Sequence, residues 1–189
     1  MIFPSWGWVG GIVQIGGMDA SRRVLALTGG NAQQEIRIGN RFYIENVADA
    51  LSAKGEFYFD AASRKLRHIP ETGDFSENNA VTPALDRLIE FSGNKEEGTW
   101  VEHVEIRGIA FRDTRYSLAV DSLYTPDDAA IHISHARGIH IRDCTFSHLG
   151  GYAVKLADSS TSCRIIRCSM SKMGQGGVIA RGDDNDHPT

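Results

Sequence analysis

The second half of the chain repeats a pattern of apolar and polar positions. Three eight-residue segments carry apolar residues at their first, third, sixth and eighth positions. Alternation with a period of two is typical of half-buried β-strands, so each segment predicts two short strands facing one interior. The aligned apolar columns are Val104/Ile139/Cys163, Ile106/Ile141/Ile165, Ile109/Cys144/Cys168 and Phe111/Phe146/Met170.

A second set of strands alternates with the first set along the chain. Its apolar centres are Ile131, Val154 and Val178, and Ile89 lies in an earlier stretch of the same kind. The spacing is 23 residues from Ile131 to Val154 and 24 residues from Val154 to Val178. The step from Ile109 to Cys144 is longer, at 35 residues, which predicts an insertion over residues 116–128.

A period of 23 or 24 residues with several short strands per turn predicts a right-handed parallel β-helix of about three coils over residues 99–189. Leucine-rich repeats need a Leu/Asn signature that is absent here, propeller blades are longer, and an α-solenoid would show a period of 3.6 residues. Cys144 and Cys168 share an apolar column, so we interpret them as small buried side chains rather than as a disulfide.

Residues 1–98 predict an N-terminal β module that packs on the first coil, and the fold class is therefore all-β. Early strands are expected at 11–15 and 23–27, with a turn at 16–19 between them. Asn46 predicts the N-cap of a helix of one or two turns. A hairpin follows, with strands at 56–60 and 65–69.

Composition excludes several classes of partner and enzyme. Lys plus Arg number 20 against 24 for Asp plus Glu, and no basic stripe occurs, so nucleic acid is not an expected partner. No stretch approaches the roughly 18 apolar residues of a membrane span, and the start of the chain lacks the pattern of a signal peptide. The motifs of serine hydrolases, zincins and P-loop nucleotidases are also absent.

Several short motifs resemble one large bacterial family. The run from Arg41 to Val47 (Arg-Phe-Tyr-Ile-Glu-Asn-Val), the run from Gly55 to Asp60 (Gly-Glu-Phe-Tyr-Phe-Asp), and the glycine motifs at 148–152 and 174–177 are similar to those of pectate-lyase-like right-handed parallel β-helix proteins. The resemblance covers roughly residues 5–182 and is strongest to the branch with glycoside hydrolases of the β-xylosidase type. It implies a secreted or periplasmic protein that acts on a plant or microbial polysaccharide or oligosaccharide.

The resemblance also implies a longer chain with further coils. We therefore expect this chain to be the N-terminal part of such a protein, incomplete in its catalytic site. Two alternatives stay open beside the glycoside hydrolase. One is a polysaccharide lyase, and the other is a non-catalytic module that binds glycans or forms a homo-oligomer through its open coil ends.

Candidate catalytic groups are the carboxylates near the end of the chain, Asp183, Asp184 and Asp186. Glycosidases use two carboxylates on either side of the scissile bond. A solvated acidic tail is the alternative interpretation. No cofactor is predicted, although Ca²⁺ stays open for the lyase alternative because carboxylate oxygens bind it.

The candidate substrate-binding residues are His132, Lys155 and His187. The predicted strands place His132, Lys155 and Ile179 in one outward row, and they place Glu105, His140 and Arg164 in another. We expect no metal site among the histidines at 132, 135, 140 and 148, because His132 and His140 belong to different predicted sheets and point outward from each, whereas zinc needs three or four converging ligands. Trp6, Trp8 and Trp100 are expected to cap the core, with sugar stacking as the alternative.

Overall fold

The structure is a computed structural model, and it describes residues 2–3, 11–30, 35–60, 62–72, 81–116 and 128–182. The chain divides into two compact units. The N-terminal unit comprises Met1–Val81 and Val120–Leu123, and the C-terminal unit comprises Thr82–Ala119 and Tyr124–Thr189. The predicted boundary after residue 98 falls inside the C-terminal unit.

The described part of the N-terminal unit consists of antiparallel strand pairs and one 3₁₀ helix. Strand β2 pairs with β3, β5 pairs with β6, and the short strand β1 pairs with β4. The hairpin expected at 56–69 is confirmed as β5 and β6, with Asp60 opposite Lys65. The elements are β1 (Ile2–Phe3), β2 (Val13–Asp19), β3 (Val24–Gly30), β4 (Arg41–Phe42), the 3₁₀ helix (Ala48–Ala50), β5 (Phe57–Asp60) and β6 (Lys65–His68).

The turn predicted at 16–19 is wrong. Strand β2 continues to Asp19, because a register shift between Ile15 and Gly17 absorbs the glycines inside the strand. The turn follows at residues 20–23, where Asp19 Oδ1 accepts hydrogen bonds from Arg22 N at 3.0 Å and from Ser21 Oγ at 2.6 Å. The carboxylate thus closes a turn that the glycines were expected to form.

The helix predicted after Asn46 is shorter than expected and is not capped by Asn46. It is a single 3₁₀ turn with Val47 at the N-cap position and no side-chain cap. Asn46 has a φ of 57°, and its Oδ1 accepts a hydrogen bond from Phe59 N at 3.3 Å. A bond to strand β5 replaces the expected cap.

The C-terminal unit is built from parallel sheets. Strands of one repeat follow one another along the chain, and each strand pairs with its counterpart in the next repeat. The strands are β7 (Ile89–Ser92), β8 (Val101–Glu102), β9 (Glu105–Arg107), β10 (Ala110–Arg112), β11 (Ala129–Ser134), β12 (Ala136–Arg137), β13 (His140–Arg142), β14 (Thr145–Leu149), β15 (Tyr152–Ala157), β16 (Arg164–Ile166), β17 (Ser169–Met173) and β18 (Val178–Arg181).

Strand register confirms the alignment of the repeats. The sheet orders are β18-β15-β11-β7, β16-β13-β9, β10-β14-β17 and β12-β8. Ile141 lies opposite both Ile106 and Ile165, and Phe146 lies opposite both Phe111 and Met170. Residues 117–127, within the predicted insertion, lie outside the described part of the chain.

The core runs through the interior of these parallel sheets. Ile131, Ile139 and Ile141 are fully buried, and the rings of Phe111 and Phe146 stack with centroids 5.0 Å apart. All three cysteines are free thiols, and Cys144 is buried. In the aligned column of Ile109 and Cys144, Ile109 of the first repeat is 45% exposed, whereas Cys144 one repeat later is 1% exposed.

At the corners between strands, equivalent residues of successive repeats adopt the left-handed backbone conformation. Non-glycine residues rarely adopt a positive φ, so its recurrence shows that the strand connections are themselves repeated. Only two of these positions are glycine, which hides most of the corners from a sequence pattern. The three aligned sets are His103/Gly138/Ser162, Gly108/Asp143/Arg167 and Asp113/His148/Lys172, with φ between 50° and 69°.

Candidate functional site

A row of polar side chains crosses the outer face of the four-stranded sheet. Register places Glu90 of β7 beside His132 of β11, and His132 beside Lys155 of β15. Ile131 and Ile133 of the same strand are buried, so the alternate residue His132 belongs to the outer face. Neighbouring strands are about 4.8 Å apart, so the three side chains start within about 10 Å of one another.

Arg87 and Asp128 complete this row. Arg87 Nε donates to Asp128 Oδ1 at 2.8 Å, and Arg87 Nη1 donates to Glu90 Oε1 at 3.2 Å. The hydrogen bond that Arg87 donates to Asp128 raises the pKa of Arg87, with burial opposing it. We call Arg87, Glu90, Asp128, His132 and Lys155 the polar row.

The side chain of His132 is more buried than those of Arg87, Glu90 and Asp128. Its side chain is 12% exposed, and its Nδ1 has no hydrogen-bond partner, with Glu90 Oε1 3.9 Å away. Burial lowers its pKa from 6.5, as do the charges of Arg87 and Lys155, while Glu90 and Asp128 act in the opposite direction. The lowered pKa favours the neutral imidazole, and because Nδ1 is buried only Nε2 could meet a ligand.

Lys155 supplies a cation beside this neutral imidazole. Among the described residues, no carboxylate lies within ion-pair distance of its ammonium group, whereas Arg87 is shared by Glu90 and Asp128. The polar row thus presents acceptors at one end and a donor with no carboxylate partner at the other. Such a mixture suits ligands with many hydroxyl groups.

The second predicted outward row is also adjacent in register. His140 of β13 lies beside Glu105 of β9 and Arg164 of β16. Glu105 Oε1 is 3.7 Å from Arg142 Nη1, on the strand that carries His140. This row provides matched positions for testing the polar row.

The structure brings together two of the predicted site residues, His132 and Lys155. The predicted catalytic residues Asp183, Asp184 and Asp186 lie outside the described residues, as does the predicted binding residue His187.

Sequence reasoning missed three members of the polar row. Glu90 follows from the strand alternation around Ile89, but Arg87 and Asp128 follow from no local pattern.

Within the described ranges, no three His, Cys, Asp or Glu side chains are grouped so that they could hold a metal ion. The same ranges contain no helix with the length and apolar character needed to cross a membrane. Comparison with known proteins adds no relative, since no family model, curated protein or solved structure matches the chain.

Proposed function

We propose that the C-terminal unit is a right-handed parallel β-helix of the pectate-lyase-like kind. Three features support this proposal. The strands of each sheet come from successive repeats, the buried columns continue from one repeat to the next, and equivalent corners reuse left-handed backbone. Stacked repeats of 23 or 24 residues are typical of such a solenoid.

We further propose that the protein binds a polysaccharide or oligosaccharide along the polar row. The observation that carries this proposal is the unbroken register of Glu90, His132 and Lys155 across three parallel strands. A glycan is an extended ligand with many hydroxyls that both donate and accept, and a row with acceptors at one end and a donor at the other matches that chemistry. The motifs similar to carbohydrate-active β-helix proteins point to the same ligand class.

The role of the polar row is binding rather than bond cleavage by a carboxyl pair. Both of its carboxylates, Glu90 and Asp128, already accept hydrogen bonds from Arg87. A glycosidase needs one carboxylic acid that is free to donate to the leaving group. For glycoside hydrolysis, the acid/base pair stays a prediction at Asp183, Asp184 and Asp186.

Oligosaccharide binding measured by calorimetry tests the role of the polar row. The ligands are one neutral xylan-derived and one acidic pectin-derived hexasaccharide. Lys155→Ala and His132→Ala each remove a hydrogen bond to the ligand, and we expect at least about a tenfold loss of affinity, since one such bond contributes about 1.5 kcal/mol. The matched controls His140→Ala and Arg164→Ala, on the second row, are expected to keep wild-type affinity.

Two results would overturn the proposed binding face. One is that the unmodified chain binds neither hexasaccharide. The other is that the control variants His140→Ala and Arg164→Ala lose as much affinity as the polar-row variants. Circular dichroism of each variant establishes that the sheets are intact.

A polysaccharide lyase is the second candidate, and the neutral state of His132 favours it. A lyase needs a base that removes a proton beside a sugar carboxylate, and an unprotonated imidazole can accept that proton. Lys155, next to it in register, would pair with the sugar carboxylate. The test is ultraviolet absorbance of the unsaturated product from the pectin-derived hexasaccharide, which His132→Gln should abolish. Absence of this product with the unmodified chain excludes a complete lyase site on the polar row.

A further inference from the structure

Trp100 lies at a corner of the C-terminal unit and outside its core. It follows a tight turn in which Asn94 and Thr99 exchange backbone hydrogen bonds of 2.9 Å in both directions. The side chain is not part of the core cluster, and the residue is 38% exposed. The expectation that Trp100 caps the core is therefore wrong, because the corner carries the indole to the surface.

Two charged side chains are ordered beside the indole. Arg137 lies opposite Glu102 in the short parallel pair β8 and β12, and the two side chains form an ion pair. The guanidinium carbon of Arg137 lies over the Trp100 ring, 5.7 Å from its centroid, so a ligand could stack only on the part of the indole that Arg137 leaves uncovered. The other carboxylate oxygen of Glu102 is 3.9 Å from His103 Nε2. A donor and an acceptor are thus held next to an aromatic surface.

The backbone fixes the position of this aromatic surface. A Cβ atom on Gly93 would lie 2.3 Å from the carbonyl oxygen of His135 and 2.4 Å from that of Thr99, so the two segments cross in close contact. The ring of His135 lies 6.2 Å from the indole at an angle of 57°, and its Nε2 is buried without a hydrogen-bond partner. The backbone that carries the indole is thus held in place before a ligand binds, and such preorganisation favours affinity.

We propose that Trp100, Arg137 and Glu102 form a subsite for one pyranose ring of a glycan. The apolar C–H face of the sugar would stack on the exposed part of the indole, while Arg137 would donate to ring hydroxyls and Glu102 would accept from them. The paired charges of Arg137 and Glu102 cancel, which favours an uncharged ring over an anion. This inference rests on the proposed glycan binding and adds a second, separate contact site to the C-terminal unit.

Fluorescence titration with the neutral and acidic hexasaccharides tests the subsite. Trp100→Ala should weaken binding of the neutral ligand at least tenfold, and Trp100→Phe should weaken it less because a smaller aromatic face is kept. Trp100→Phe should also lose most of the fluorescence change, since only Trp6 and Trp8 stay in the chain. Phe57→Ala, which removes another exposed aromatic side chain, is the matched control and should bind as the unmodified chain does.

The outcomes separate this inference from the proposed function. If Lys155→Ala weakens binding and Trp100→Ala does not, the subsite is overturned and the polar row stands. If Trp100→Ala and Arg137→Ala weaken binding and the polar-row variants do not, the subsite stands and the polar row is overturned. If neither hexasaccharide binds to the unmodified chain, both are overturned.

Discussion

The central apolar column of the C-terminal unit gives a quantitative prediction for Ile141. This side chain is fully buried between Ile106 and Ile165 of the neighbouring repeats, whereas Ile165 is only partly buried on an edge strand. Replacement of either isoleucine by alanine removes the same three carbon atoms. The difference between the two variants therefore reports burial and not the chemistry of the substitution.

The expected loss follows from the buried carbon atoms. Three methyl or methylene groups at about 0.8 kcal/mol each amount to about 2.4 kcal/mol, and the cavity left between two packed repeats raises the loss for Ile141→Ala to about 3–4 kcal/mol. Ile165→Ala opens toward solvent at the sheet edge, so we expect about 1–2 kcal/mol. Ile141→Asp should prevent folding of this unit, because it buries an unpaired charge.

Urea unfolding followed by circular dichroism measures these differences. The outward neighbour His140→Ala is the control and should change the free energy of unfolding by less than about 0.5 kcal/mol. The reasoning is refuted if Ile141→Ala costs less than about 1 kcal/mol, or if Ile165→Ala costs more than Ile141→Ala. A folded Ile141→Asp variant with an unchanged melting temperature would also contradict the inward assignment.

Three further predictions concern the corners and His132. Lys172→Gly should stabilise the chain against urea by about 0.5–1 kcal/mol, because its φ of 54° is strained for an L-residue; a loss of stability would contradict this. Gly150→Ala should cost at least about 2 kcal/mol, because the new Cβ would lie 1.8 Å from the carbonyl oxygen of Arg115. Gly17→Ala meets only ordinary contacts and should cost less than about 0.5 kcal/mol in the same urea assay. Because the folded state lowers the pKa of His132, the unfolded chain binds the proton more tightly, so stability should fall as the pH drops through and below 6.5. In His132→Gln, the free energy of unfolding measured with urea should fall less steeply between about pH 7.5 and about pH 5. An unchanged slope would exclude His132 as the group responsible.

The sequence by itself determined the strand pattern and its register. Ile141 could be aligned with Ile106 and Ile165 because period-two alternation encodes which side of a strand is buried, and the spacing of the repeats encodes which residues lie opposite one another. The hairpin of β5 and β6 was predictable for the same reason, since its strands alternate and are adjacent in the chain.

Only the tertiary structure decided which polar side chains meet. Arg87 and Asp128 form their hydrogen bond across 41 positions of sequence, and neither residue lies in a recognisable pattern. The exposed position of Trp100 depends on the close crossing at Gly93, and the left-handed corner at Lys172 depends on the strands that it joins. The physical reason is common to all three. Apolar periodicity is a local property of the chain, whereas a hydrogen bond, a backbone crossing and a strained corner depend on packing between segments that sequence order does not bring together.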